Sequence, residues 1–177
     1  MGTQSMQKQP ILRGATEEER NPRYWPDSLL EPIDRLLQSS LSRAGKALRE
    51  TFGRAERQMN AREFVEFWNN CRLKAMATTG AHGAPHIAPV HAEFVNGILY
   101  STIYVDAQRR RDLDHNPRVA LTTWGADGAV AIVYGRAAVV PGSERESRPG
   151  ASGQPRRTVL LQIDIQRIYA MKGRSTA

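Results

Sequence analysis

The sequence predicts a mainly β protein with N-terminal helices, its six strands forming an antiparallel sheet that closes into a barrel. Three observations carry that prediction. Hydrophobic spacing is helical in the first part of the chain and strand-like from Leu73 onward. Asn96-Gly97 stands between two apolar stretches, the strongest short hairpin signal in the chain. Only one short helical stretch interrupts the strands, so the alternating strands and helices of a parallel sheet are absent.

The elements follow in order. Residues 1–26 lack periodicity, and Asn21, Pro22 and Pro26 around Tyr24 and Trp25 resist regular structure. Trp25 is expected to pin this arm to a core surface. Asp27 can cap a helix that carries Leu29, Leu30, Ile33, Leu36 and Leu37 on one face, with Pro32 near its first turn. A second helix follows Ser42, with Ala44, Ala47, Leu48 and Phe52 opposite Arg43, Lys46 and Arg49, and Gly53 as its stop. Each leucine-class side chain left exposed forgoes roughly 1.5–3 kcal/mol. Residues 27–58 are therefore expected to pack as a helical hairpin on the barrel or a partner subunit, near an opening beside residues 141–155. The alternative is a docking arm for another protein. A third helix starts at Asn60, with Glu63 completing a capping box, and carries Phe64, Phe67 and Trp68 toward a core.

Strands are then expected at Leu73–Thr78, His86–Phe94 and Ile98–Thr102, with a turn at Gly80–Pro85. Asp106–His115 reads as an Arg-rich helix ended by Asn116-Pro117. Val119–Trp124 and Ala129–Val140 are the next strands, joined by a turn at Gly125–Gly128. Pro141–Pro155 is rich in Gly, Ser, Pro and charge and reads as a flexible loop. In the last strand Val159, Leu161, Ile163 and Ile165 alternate with Leu160, Gln162, Asp164 and Gln166.

Composition bounds the function. The 177 residues suffice for a real core, and 40% are hydrophobic, too many for wholesale disorder. The single cysteine, Cys71, excludes an intramolecular disulfide and any multi-cysteine metal site. No apolar run approaches the roughly 20 residues of a membrane span. The polar start carries no hydrophobic signal region, so a cytoplasmic location is expected. The net charge of +7 suits phosphate esters, anionic cofactors or nucleic acid, and equally an Arg-rich surface.

No phosphate-binding Gly-rich loop with Lys-Ser or Lys-Thr is present, no dinucleotide fingerprint and no nucleophile elbow. His82, His86 and His91 crowd together, but residues 86 and 91 of one strand point to opposite faces and His82 lies in the turn, so no metal site is expected. Arg109-Arg110-Arg111 is the best chemical clue. At a helix N-terminus just after a strand, backbone N–H groups and a guanidinium can share one phosphate. A solvated Arg face explains the same run.

The ordered motifs Ala75-Met-Ala-Thr-Thr-Gly, Gly83-Ala-Pro-His-Ile-Ala-Pro-Val, Gly97-Ile-Leu-Tyr, Arg109-Arg-Arg-Asp-Leu and Asn116-Pro-Arg-Val-Ala-Leu resemble the FMN-binding split β-barrel family, the pyridoxamine 5′-phosphate oxidase-like group. Val133-Tyr-Gly-Arg-Ala and the stretch Ile163 to Gly173 are similar to that family's later strands. The resemblance spans about residues 60–140 and 158–174. It implies a six-stranded antiparallel split β-barrel of FMN-binding type over residues 59–177, with residues 1–58 as an N-terminal extension. It also implies a homodimer with flavin sites at the subunit interface. Arg109, preceded by Gln108, takes the position that holds the flavin phosphate, with Thr102 and Ile103 beside it. The ring system runs along Ala88, Pro89, Val90 and His91.

The chain departs from the family at several points. Ala107 replaces the usual Ser two residues before the basic position. The vitamin B6 oxidases have basic residues where Ala88 and Glu93 stand, and a glutamine at Val130. Pyridoxamine phosphate oxidase activity is therefore not expected. The resemblance implies a flavin- or deazaflavin-dependent oxidoreductase acting on a small molecule, with no catalytic side chain assigned and nucleic acid not among its partners. The alternatives are a non-catalytic flavin or haem module, with His91 the residue to examine for haem, and a subunit docking through residues 1–58.

Overall fold

The computed structural model describes residues 14–146 and 155–174. Readings that fall on residues 1–13 and 147–154 lie outside it. The helices are α1 (Glu17–Arg20), α2 (Asp27–Ser42), α3 (Lys46–Phe52), α4 (Ala61–Asn70) and α5 (Gln108–His115). The strands are β1 (Lys74–Thr79), β2 (Pro85–Val95), β3 (Ile98–Tyr104), β4 (Arg118–Trp124), β5 (Val130–Val139), β6 (Arg145–Glu146) and β7 (Arg157–Met171). Their order is β3-β2-β1-β4-β5-β7-β6, and β3 also pairs with β7. That extra pairing closes six antiparallel strands into a barrel and leaves β6 as an added strand.

The β2–β3 hairpin turns where the sequence asks for it. Asn96 and Gly97 both adopt positive φ, +47° and +79°, the backbone of a type I′ turn. Inward-facing Met76, Val90, Phe94, Leu99, Leu121, Val133, Leu161 and Ile168 fill the interior.

Several elements differ from the sequence reading. The last strand runs on to Met171. Its register against β5 shifts between Tyr134 and Gly135, where Tyr134 faces Arg167 and Gly135 faces Ile165. This bulge reverses the alternation, so Ile163 is buried before it and Ile168 and Ala170 after it. The strands approach so closely there that a Cβ on Gly135 would lie 2.4 Å from the Asp164 carbonyl oxygen. The polar 141–155 segment contains β6, a two-residue strand against Arg157 and Thr158. Residues 17–24 hold α1 and a 3-10 turn, Pro22–Tyr24. Pro26 rather than Asp27 occupies the cap of α2, and α3 begins at Lys46 after Gly45 instead of at Ser42.

Trp25 is buried and its indole N–H donates to the Glu19 carbonyl at 3.1 Å. The arm that it fixes lies against the hairpin: Asn96 N–H donates to the Glu19 carbonyl, and Arg20 pairs with the fully buried Glu93 at 3.3 Å. Leu30 and Ile33 of α2 join the main core, and Ser40 Oγ accepts from the Ile168 N–H at 2.9 Å. Phe52 and Ala44 pack with Tyr169 over Val130, Ile132 and Tyr134. The outer face of β5 is thus covered within the chain. These helices sit at the Arg167–Met171 end of β7, while the 141–155 segment returns at Arg157 and Thr158. The expected placement beside that loop is not what the structure has.

Candidate functional site

The barrel wall is split at one place. β2 pairs with β3 only from His91 to Val95, and its first half, Pro85 to Val90, pairs with β1 alone. β3 runs past that point, where Ile103 and Tyr104 pair with β7 alone. The main chain of Pro85–Val90 therefore has no strand on its second side. Proline at 85 and 89 removes two donors from this stretch.

The sequence-derived candidates fall along this split. Ala88, Pro89 and Val90 form its β2 margin, and His91 and Thr102 face each other where the two strands meet. Val90 points into the core, whereas Ile87, Pro89 and His91 lie on the exposed outer face. His91 Nδ1 is 3.2 Å from the Arg72 carbonyl oxygen. Ile103 is buried in the core, so only its main chain borders the split. Gln108 and Arg109 open α5, which follows β3 and packs against β1 and β3.

The three arginines of α5 have different fates. Arg110 is paired with Asp114, and Arg111 donates to Gln108 Oε1 at 2.7 Å. Arg109 turns inward, and its Nε is buried with no hydrogen-bond partner. Among the described residues, only Trp68 Nε1 shares that condition, and Trp68 lies in the aromatic core. Burial pushes the Arg109 guanidinium below its ordinary value, and the nearby Asp112 charge opposes that. Ala107 gives α5 no side-chain cap, and while the Arg110 N–H donates to the Ala107 carbonyl, those of Gln108 and Arg109 are left for another acceptor. A buried guanidinium N–H without an acceptor at an uncapped helix start fits a phosphate.

Sequence reasoning missed the centre of this end of the barrel. Asp112 is 1% exposed and accepts from Thr78 Oγ1 at 2.6 Å and from Gln108 Nε2 at 2.9 Å, and lies 2.8 Å from His86 Nδ1. Burial alone would raise its carboxyl. The hydrogen bonds from Thr78, Gln108 and His86 outweigh burial and hold it below the usual carboxylate range. Both ends of the Gln108 amide are engaged within α5, so this side chain supports Asp112 and Arg111. A signal existed: Asp112 lies three residues after Arg109 and beside Leu113, on the face that α5 turns to the barrel.

Elsewhere the described residues hold no group of three His, Cys, Asp or Glu placed for a metal, and no helix long and apolar enough to cross a membrane.

The pyridoxamine 5′-phosphate oxidase family profile matches residues 61–172. No curated protein matches the sequence. Among solved structures, a conserved hypothetical protein of Mycobacterium tuberculosis is 21% identical with a TM-score of 0.55, over 70% of this chain and 98% of that one. An FAD-binding protein of Mesorhizobium loti is 18% identical with a TM-score of 0.50, over 66% and 96%. HutZ, the haem storage protein of Vibrio cholerae, is 17% identical with a TM-score of 0.50, over 63% and 94%.

Proposed function

Because the chain belongs to the pyridoxamine 5′-phosphate oxidase family, we propose that it is a flavin-dependent oxidoreductase that holds FMN by its phosphate at Arg109 and acts on a small organic molecule. The observation that carries this reading is the unpaired, buried Nε of Arg109 at the uncapped start of α5. A phosphate oxygen is the acceptor that this donor lacks. Thr102 and the main chain of Ile103 border the phosphate from the β3 margin. Ala88, Pro89 and Val90, on the unpartnered margin of β2, and His91, where β2 meets β3, line the ring system. Bound flavin supplies hydride or single-electron chemistry, and the chain supplies position and charge.

Vitamin B6 is not the proposed substrate. At one of the two positions where the B6 oxidases have a basic residue stands Glu93, which is buried and paired with Arg20 of the chain's own arm. A second copy of the chain is the proposed cover for the outer face of β1, β2 and β4, where Leu73, Ile87 and Trp124 are exposed.

The visible spectrum of the purified protein tests the cofactor, since flavin, deazaflavin and haem absorb differently. By fluorescence titration, Arg109→Ala is expected to weaken FMN binding by about 1.5–3 kcal/mol and to leave riboflavin unaffected. Equal FMN affinity in both proteins would remove Arg109 from the site. Light scattering at micromolar concentration is expected to give a dimer, and a stable monomer would contradict the shared site.

A further inference from the structure

We propose that His86 is a further phosphate-binding residue of this site, its imidazole oriented by Asp112 and effective only when protonated. The proposal rests on the flavin reading above and adds to it a residue and a pH dependence.

The geometry fixes the ring. His86 Nδ1 lies 2.8 Å from Asp112 Oδ2, a carboxylate that is itself buried and held by Thr78 and Gln108. A Cβ on Gly80 would come within 3.1 Å of His86 Cε1 and 3.6 Å of Asp112 Oδ1, so the β1–β2 turn closes over the pair. The His86 side chain nevertheless stays 37% exposed. With Nδ1 committed to the carboxylate, Nε2 is the nitrogen left for a ligand. In the neutral ring with its proton on Nδ1, Nε2 is an acceptor and repels a phosphate oxygen. In the imidazolium it is a charged donor. His86 also precedes Ala88 by two residues on one face of β2, and so adjoins the margin assigned to the cofactor.

The charge balance points the same way. Asp112 of α5 is the charged group in direct contact with His86, and Arg109, one turn earlier in α5, feels the Asp112 charge. β1 contributes Thr78 and the turn contributes Gly80, neither of them charged. With His86 neutral, the Asp112 charge offsets part of the Arg109 charge. Protonation of His86 adds a second positive charge that an anionic ligand can use. A purely structural role, tying β2 to α5, would affect stability and leave the pH profile of binding unchanged.

The test is the affinity for FMN and for riboflavin at about pH 6 and about pH 8.5, in the wild type and in His86→Gln. The variant is expected to lose about tenfold in FMN affinity at the lower pH, the worth of one charge-assisted hydrogen bond. At the higher pH the loss should be about twofold or less, and riboflavin should not respond at either. The second ionisation of the FMN phosphate, near pH 6, strengthens binding to Arg109 as pH rises. That opposite slope is what His86→Gln should retain alone. The same pH profile in both proteins would overturn the proposal and leave the flavin reading standing, whereas a wild type that binds neither flavin would remove both. If His86→Gln fails to fold, the imidazole nitrogen signals of the wild type decide by NMR at about pH 6. FMN is expected to move the His86 Nε2 signal and riboflavin to leave it in place, and an Nε2 signal unmoved by FMN would overturn the assignment.

Discussion

The two ends of the barrel are closed by helices with opposite chemistry. At one end α4 inserts Phe64, Val65 and Trp68 among core residues. Phe64 meets Phe94 with ring centroids 5.5 Å apart, and Trp68 lies 6.2 Å from the same ring. At the other end α5 sends in Asp112, and the wall answers with Thr78 and His86. β1 spans both: its inward-facing Lys74 lies 5.4 Å from the Trp68 ring, and its inward-facing Thr78 holds Asp112. At the apolar end the unpartnered donor is neutral, the indole Nε1 of Trp68 among the aromatic rings. The polar end keeps one buried donor, Arg109 Nε, without a partner. Closing a barrel requires neither a buried carboxylate nor a guanidinium with an unmet N–H. The contrast separates the end built for packing from the end that carries an unmet donor on a charged group.

The largest expected effect is at the apolar end. Phe64→Ala removes the ring between Trp68 and Phe94 at a fully buried site. It is expected to cost about 3–5 kcal/mol, measured by denaturant unfolding. FMN affinity per folded molecule should stay unchanged, because the cavity opens away from α5. A loss of affinity with little loss of stability would break the division between the two ends.

Much of the apolar end was legible in the sequence. Asn60 and Glu63 form the capping box that their spacing announces, and Phe64 and Trp68 face inward as their helical period requires. The hairpin at Asn96-Gly97 was legible because only one turn type suits those residues. The polar end was legible in part. The arginine run marked α5, but nothing local distinguished Arg109 from Arg110 and Arg111. Their roles depend on which one faces the barrel. Asp112 and His86 are 26 residues apart and become partners only when β2 and α5 meet. The second half of β7 was obscured for another reason. The bulge opposite Gly135 shifts the inward side from Ile163 to Ile168, so no single alternation describes the strand. Two-residue β6 is too short to leave any periodicity.

At the polar end, stability should depend on pH through Asp112. Its folded-state pKa is depressed, so its contribution is present above the unfolded value of about 3.9 and is lost as pH falls through the lower folded value. Asp112→Asn is expected to cost about 2–3 kcal/mol at neutral pH, because Thr78, Gln108 and His86 lose a charged partner at a buried position. The gap between the two proteins should narrow as pH is lowered from about 5 to about 2. Urea unfolding at a series of pH values checks this. A gap that stays constant through that range would mean that Asp112 is not held ionised by Thr78, Gln108 and His86.

The smallest expected change in stability belongs to the residue on which function is proposed to rest most. Arg109 is held with a buried Nε that makes no hydrogen bond, and burial pushes its guanidinium below the ordinary value while the Asp112 charge opposes that. Arg109→Met keeps an unbranched apolar stem of helix-forming type and removes both the charge and the unmet donor. Stability without ligand is expected to stay within about 1 kcal/mol of the wild type, on either side. Asp112 loses a favourable neighbour while the buried donor disappears, and the two effects oppose each other. With saturating FMN the comparison should invert. Wild-type protein is stabilised in proportion to the logarithm of ligand concentration over Kd, and the variant much less. Thermal unfolding with and without FMN measures both terms on one sample. A variant as strongly stabilised by FMN as the wild type would show that the unmet guanidinium N–H is a tolerated defect of packing, and the difference between the two ends of the barrel would lose its functional meaning.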